Sequence, residues 1–118
     1  MNNKEFAKQL EARTKKFAIE IIKLSTSLPD TPEGKVVKYQ ITKSGTSIGA
    51  NYREANRSRS IADFNNKIAI CESEASETAY WLEIINELRW TTNNNVQLNL
   101  TEANELIAIF TSIGNKLK

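Results

Sequence analysis

The chain has 118 residues, of which 40% are hydrophobic and 25% charged, so it suits one domain with a hydrophobic core and not extended disorder. Its net charge of +2 does not by itself indicate a nucleic-acid-binding protein. The absence of histidine excludes Ser-His and Cys-His catalytic units and His-containing zinc sites. The sequence has no signal-peptide pattern, no apolar run long enough to span a bilayer and only one cysteine, so we expect a cytoplasmic protein without cofactor, metal or disulfide.

The first two predicted elements are helices over about residues 3–27 and 32–57. Apolar residues recur at three- and four-residue spacing in the first, which predicts one buried stripe. The stripe consists of Phe6, Leu10, Phe17, Ile21, Leu24 and Leu28. Thr31 before Pro32 is typical of an N-cap followed by the first helical residue, so the second helix begins there. Its stripe consists of Val37, Ile41, Ser44, Ile48, Asn51 and Ala55.

The segment SGTSIGANYREA (44–55) contains several residues that disfavour a helix, although the helical spacing continues through it. Gly45 and Gly49 lie one above the other beside the stripe, and small residues four apart allow a neighbouring helix to approach closely. Together with Asn51 they form a predicted helix-packing motif. The hydroxyls and the Asn51 amide need partners if they are buried. The predicted partners on the third helix are Glu74, Glu77 and Thr78.

Ser60 and Asp63 have the spacing of a capping box, which predicts a third helix over about residues 61–90. Its core stripe consists of Phe64, Ile68, Cys71, Ala75, Thr78, Leu82 and Ile85. The polar run TTNNNVQ breaks the chain, and a fourth helix is predicted over about residues 101–117. Four helices with short connections predict an all-α, antiparallel up-down-up-down four-helix bundle that occupies residues 1–118 as a single domain.

The third helix carries a second stripe, about 100 to 120° from the first at 100° per residue. This stripe consists of Ile70, Glu74, Glu77, Trp81, Ile84 and Leu88. It is either the margin of a wide core face or an oligomer interface, and the residues alone leave both interpretations open. Interhelical hydrogen bonds or salt bridges are favoured for Glu74 and Glu77 over an acid/base pair or metal ligands, and Cys71 is expected to be an inert core residue.

Two segments, TSIGANYREANRSRSIADFNNKIAI and ESEASETAYWLEII, carry a resemblance to a known family. The matching positions are Ser47, Ile48, Ala50, Asn51, Glu54, Ala55, Asp63, Phe64, Glu74, Ala75, Glu77, Thr78, Tyr80, Trp81 and Leu82. The chain resembles the 23S rRNA intervening sequence proteins, which are four-helix bundles similar to the pentameric accessory protein of diversity-generating retroelements. The resemblance implies a ring-like homo-oligomer, a pentamer, and an association with RNA or an RNA-protein complex. It implies no catalytic residue.

The charges are unevenly distributed along the chain. Residues 1–60 contain 12 Lys/Arg and 6 Asp/Glu, whereas residues 61–118 contain 4 and 8. The predicted nucleic-acid-binding residues are Arg53, Arg57, Arg59, Lys35, Lys38 and Lys43. Repeated around a ring, they would form a belt of positive potential. The alternative is a solvated face whose cations complement the dipole of the second helix.

The sequence therefore predicts a non-enzymatic, homo-oligomeric scaffold or adaptor protein, with RNA or a ribonucleoprotein as a partner and no membrane association. The alternative is a carboxylate-based enzyme that binds a divalent metal or a nucleotide. Closure of a ring requires a heterologous contact, in which the second stripe meets a different surface of the next subunit. The predicted partner surface lies on the first helix near Ile19 and Ile22.

Overall fold

The computed structural model describes residues 1–91 and 94–117, and all regular secondary structure in these residues is helical. The helices are α1 (Asn3–Thr26), α2 (Pro32–Ala55), α3 (Ile61–Leu88) and α4 (Asn95–Lys116). The predicted all-α four-helix fold is thus confirmed. Among the described residues, no helix combines the length and the apolar character needed to cross a bilayer.

Hydroxyl and amide side chains fix the starts of three helices. The Thr31 side chain accepts a hydrogen bond from the Gly34 N–H at 3.0 Å, and the Ser60 side chain accepts one from the Asp63 N–H at the same distance. Both caps are those that the sequence predicts. Asn2 caps α1 in the same way. These local bonds set the boundaries of the helices before any packing is considered.

Consecutive helices pack against each other, and α1 also meets α4 through a much smaller contact. Ile21 lies against Gly45 and Thr14 against Gly49, so the order of contacts along α1 is the reverse of the order along α2. The same reversal joins α2 to α3, where Ser44 bonds Thr78 and Ile48 meets Cys71. Neighbouring helices therefore run antiparallel, in agreement with an up-down arrangement.

The core lies along the predicted stripes. Eight large aliphatic or aromatic side chains are essentially inaccessible: Ile21, Ile41, Ile48, Ile68, Leu82, Ile85, Leu106 and Phe110. Tyr52 and Phe110 meet edge to face, with ring centroids 5.5 Å apart. Three residues of these predicted stripes lie nearer the surface, since Phe6 is exposed and Asn51 and Phe64 are only half-buried.

The fourth helix begins at Asn95, six residues before the predicted start near Thr101. Asn94, which precedes it, is of a residue type preferred at helix starts, but its side chain makes no capping bond. Val96 and Asn99 in its first turns are nevertheless buried. Burial against the other helices extends α4 into an Asn-rich segment that would not favour a helix on its own.

Candidate functional site

The site begins with the two glycines at the contact between α2 and α1. A Cβ atom at Gly45 would lie 2.7 Å from Cγ2 of Ile21, and one at Gly49 would lie 3.0 Å from Oγ1 of Thr14. Real Cβ atoms essentially never come as near as the first distance, so a side chain at Gly45 would push the two helices apart. The glycines therefore allow the backbone of α2 to lie close to α1.

Outside this contact, α1 and α2 border a groove of about 480 Å³ that we call the basic groove. Small residues of both helices, including Gly49, Ala50 and Ala18, form part of its lining. The charged residues that line it are Glu11, Lys15, Arg53, Glu54 and Arg57. Three cations and two carboxylates leave the groove with a positive excess at neutral pH.

Ion pairs and hydrogen bonds order part of the basic groove. Nε of Arg53 lies 3.6 Å from Oε1 of Glu11, and Nδ2 of Asn56 donates to Oε2 of the same carboxylate at 2.9 Å. On the far side of α2, Nζ of Lys67 lies 3.6 Å from Oε2 of Glu54. One groove carboxylate therefore faces Arg53, and the other faces a cation of α3.

The six cations predicted to bind nucleic acid are not gathered at one place. Arg53 and Arg57 line the basic groove, whereas Arg59 lines a separate depression beside Phe64. Lys35 lies 3.7 Å from Asp30, and Nζ of Lys43 lies 6.0 Å from the centroid of the Tyr39 ring. Lys38 is half-buried elsewhere on α2.

The basic groove also contains Lys15, which was not among the predicted residues. Its place in the groove depends on how α1 lies against α2, so no spacing within either helix reveals it. The excess of cations in the first half of the chain is the sequence signal that could have drawn attention to α1.

The predicted second stripe of α3 lies at the surface beside α2. Ile70 and Leu88 are 40% and 52% exposed, and the other four members are half-buried. Nε1 of Trp81 donates to Oε2 of Glu77 at 3.1 Å, and the Trp81 ring meets Tyr80 edge to face with centroids 5.2 Å apart. The stripe is therefore a mixed apolar and polar surface at the margin of the core, against which Trp81 packs.

The polar residues between α2 and α3 pair only in part as predicted. A hydrogen bond of 2.9 Å joins Oγ1 of Thr78 to Oγ of Ser44. The Asn51 amide instead donates to the Ser47 carbonyl of its own helix at 2.8 Å. Burial and the neighbouring Glu77 carboxylate raise the pKa of Glu74, while a hydrogen bond with Ser47 and the charge of Lys43 oppose the rise.

Neither the carboxylates nor the thiol form a recognisable reaction centre in the residues the structure describes. In residues 1–91 and 94–117, no group of three or more His, Cys, Asp or Glu side chains is placed to hold a metal ion. Cys71 is fully buried with its Sγ 3.5 Å from the Ile48 carbonyl oxygen, and burial raises its pKa to about 12. Its thiol therefore stays protonated at neutral pH, which is unsuited to a nucleophile.

Comparison with known proteins gives a consistent result. The family model of the 23S rRNA-intervening sequence protein matches residues 7–112. A crystal structure of a protein with unknown function from the S23 ribosomal protein family, from Bacteroides thetaiotaomicron VPI-5482, shares 36% identity. The match covers 88% of this chain and 96% of that one, with a TM-score of 0.80. No curated protein matches the chain significantly. The chain belongs to the 23S rRNA-intervening sequence protein family, as the sequence motifs predict.

Proposed function

We propose that this chain is a non-enzymatic, homo-oligomeric scaffold that binds RNA in the basic groove. The observation that carries the RNA proposal is the meeting of Lys15, Arg53 and Arg57 in one groove. Phosphate groups are the ligands that such a set of cations favours. The family name refers to a sequence within 23S rRNA and names no bound molecule, so the choice of RNA as the source of the phosphates rests on the groove cations.

The shape of the groove supports the same assignment. Gly49 and Ala50 present little side chain, so a phosphate can approach the surface of α2 closely between the longer cationic side chains. Arg53 faces Glu11 at 3.6 Å in an exposed ion pair, which a phosphate would replace on binding. Contacts of this kind bind the backbone of RNA and do not select its sequence.

Salt-dependent RNA binding tests the proposal. The affinity of a fluorescently labelled single-stranded RNA is measured by anisotropy over a range of salt concentrations. Replacing Lys15, Arg53 and Arg57 by Gln removes the three groove cations. We expect weaker binding and a log–log salt slope that is shallower by about 2, because each phosphate contact to a single strand contributes about 0.7.

The matched control removes the same charge from α2 outside the groove. Lys35, Lys38 and Lys43 replaced together by Gln provide it, and binding should change little. Equal losses in the two triple variants would mean that binding follows net charge and not the groove. Absence of RNA binding by the unaltered protein at low salt would overturn the proposal.

The homo-oligomeric part of the proposal is supported by the surface of α3. Trp81 and Ile84 are half-buried beside the exposed Leu88. The Ser44–Thr78 bond fixes how α2 and α3 lie alongside each other. In this antiparallel register, the exposed Val36 of α2 is level with the Leu88 end of the stripe. A half-buried tryptophan among exposed aliphatic residues is typical of an interface anchor.

A heterologous contact needs a second apolar surface. Ile19 and Ile22 of α1 are 44% and 46% exposed and can provide it. In a ring closed by this contact, each subunit would contribute one basic groove, and the grooves would repeat around the ring. Several weak phosphate contacts would then act together on one RNA.

Sedimentation velocity tests the assembly. Trp81 and Leu88 replaced together by Ser should give smaller particles with unchanged helical content. Leu98 of α4, which is 67% exposed and lies outside the stripe, provides a matched Leu-to-Ser control. A wild-type monomer at micromolar concentration would contradict the oligomeric assignment.

A further inference from the structure

A second groove lies on the other flank of α1, between α1 and α4. It has a volume of about 500 Å³, which is within the range of small-molecule sites. Phe17, Leu98 and Asn99 contribute to its lining, with Arg13 and Glu102 at one side. We call it the amide groove, after Asn99. It lies where these two helices make only a small contact.

Asn99 is the feature of this groove that calls for a ligand. Its side chain is only 7% exposed and lines the groove. It makes no hydrogen bond with another described residue, whereas Thr14, Ser25, Ser44 and Thr78, the other buried polar residues, all do. Neither atom of the amide is enclosed without a hydrogen-bond partner, so the amide reaches the groove, where water or a ligand can supply a donor and an acceptor.

The charges of the amide groove favour an uncharged ligand. Nη2 of Arg13 lies 2.6 Å from Glu102 and 3.0 Å from Glu105, so this guanidinium is already neutralised. Lys16 and Glu20, which also line the groove, add one charge of each sign. The basic groove, in contrast, has an excess of cations. The two flanks of α1 thus suit different parts of one ligand, a neutral group on one side and phosphates on the other.

We propose that the amide groove binds a nucleobase of the single-stranded RNA whose phosphates lie in the basic groove, an inference that rests on the proposed function. A nucleobase is uncharged, has apolar faces for Leu98 and presents neighbouring donors and acceptors at its edge. Asparagine side chains bind such edges in pairs of hydrogen bonds. The two grooves are separated by α1, whose diameter of about 10–12 Å a short stretch of RNA spans.

The test follows the side-chain amide of Asn99 by NMR in ¹⁵N-labelled protein. Adenosine, cytidine, guanosine and uridine are titrated separately, and at least one should shift the Asn99 signals saturably. In Asn99→Leu, the shifts that this nucleoside causes at the other groove residues should disappear. The variant should also bind single-stranded RNA about 10-fold more weakly, because the base contact is lost. The variant should keep its fold, since the amide that leucine replaces makes no hydrogen bond with a described residue.

Asn104→Leu is the matched control, because Asn104 lies on the exposed side of the same helix. It should leave nucleoside and RNA binding unchanged. Two results together would overturn the inference and leave the proposed function standing. Asn99→Leu would bind RNA as well as the wild type, and no nucleoside would shift the Asn99 amide of the wild type. An amide shifted by acetamide and by no nucleoside would also overturn it, in favour of a protein side chain as the ligand. Wild-type protein that binds no RNA would overturn both.

Discussion

The two flanks of α1 show how helix spacing determines where a ligand can bind. On one flank, Gly45 and Gly49 bring α2 so close that the only room left lies outside the contact, between charged side chains. On the other flank, α4 makes only a small contact with α1. An ion pair between the Arg13 and Glu102 side chains connects these two helices. Room remains there between the helices themselves, down to the buried Asn99. The groove of the tight flank therefore lies beside the helix contact, and that of the loose flank lies between the helices.

The largest expected effect comes from breaking the tight flank. Gly45→Leu should lower the free energy of unfolding by about 3 kcal/mol, because its side chain enters space occupied by Ile21. Chemical denaturation measures the change. A smaller loss is expected for Gly45→Ala, whose single added carbon meets the side chain of Ile21 and not its backbone.

Gly114 is the control for this prediction, since a Cβ atom there would meet nothing within 4 Å. It lies within α4, where alanine is preferred to glycine by about 1 kcal/mol. Gly114→Ala should therefore stabilise the protein. Gly45→Leu with unchanged or increased stability would show that α1 and α2 are not held at close distance by the glycines.

An intermediate effect is expected on the loose flank. Arg13 donates through Nε and Nη2 to the two oxygens of Glu102, at 2.7 and 2.6 Å, and this pairing raises its pKa. Arg13→Gln should destabilise by about 1 kcal/mol, since the pair is bidentate but partly exposed. The loss should shrink in high salt. A double-mutant cycle with Glu102→Gln measures the coupling, and zero coupling would mean that this ion pair does not connect α1 to α4.

The smallest expected effect concerns Glu74, which lies where α2 meets α3. The charge of this residue lowers the stability of the fold, whereas the Arg13–Glu102 ion pair raises it. The pKa of Glu74 is raised on folding, so the protein loses stability as the pH rises through the folded pKa. Below the unfolded pKa of about 4.3 the carboxyl is protonated in both states, so this loss is absent. Glu74→Gln should raise the melting temperature slightly at pH 7 and not at pH 3.5. Glu77→Gln should reproduce part of the gain by removing the neighbouring charge. A lower melting temperature for Glu74→Gln at pH 7 would show that the carboxylate is stabilising.

Features set by local chemistry were predictable from the sequence. Thr31 and Ser60 were recognised as N-caps because their hydrogen bonds reach only three residues along the chain. Both glycines of α2 were expected at a close helix contact because their spacing places them on one face. The fold class followed from apolar spacing in the same way.

Features that depend on how two helices lie against each other were not predictable. Lys15 and Arg57 line one groove only because Thr14 of α1 is level with Gly49 of α2. The early start of α4 depends on burial of Val96. Asn99 carries no signal in the sequence, since an asparagine on an apolar stripe is indistinguishable from a residue with a hydrogen-bonding partner until the partners are known.

An NMR map of the RNA-bound protein tests the central claim most directly, because it locates the ligand without altering any side chain. Backbone amide shifts are recorded as single-stranded RNA is added to the labelled protein at low salt. We expect the largest shifts at Lys15, Gly49, Ala50, Arg53 and Arg57, with smaller ones across α1 towards Asn99. Shifts confined to α3, or spread evenly over all four helices, would contradict the assignment of the basic groove as the RNA-binding site.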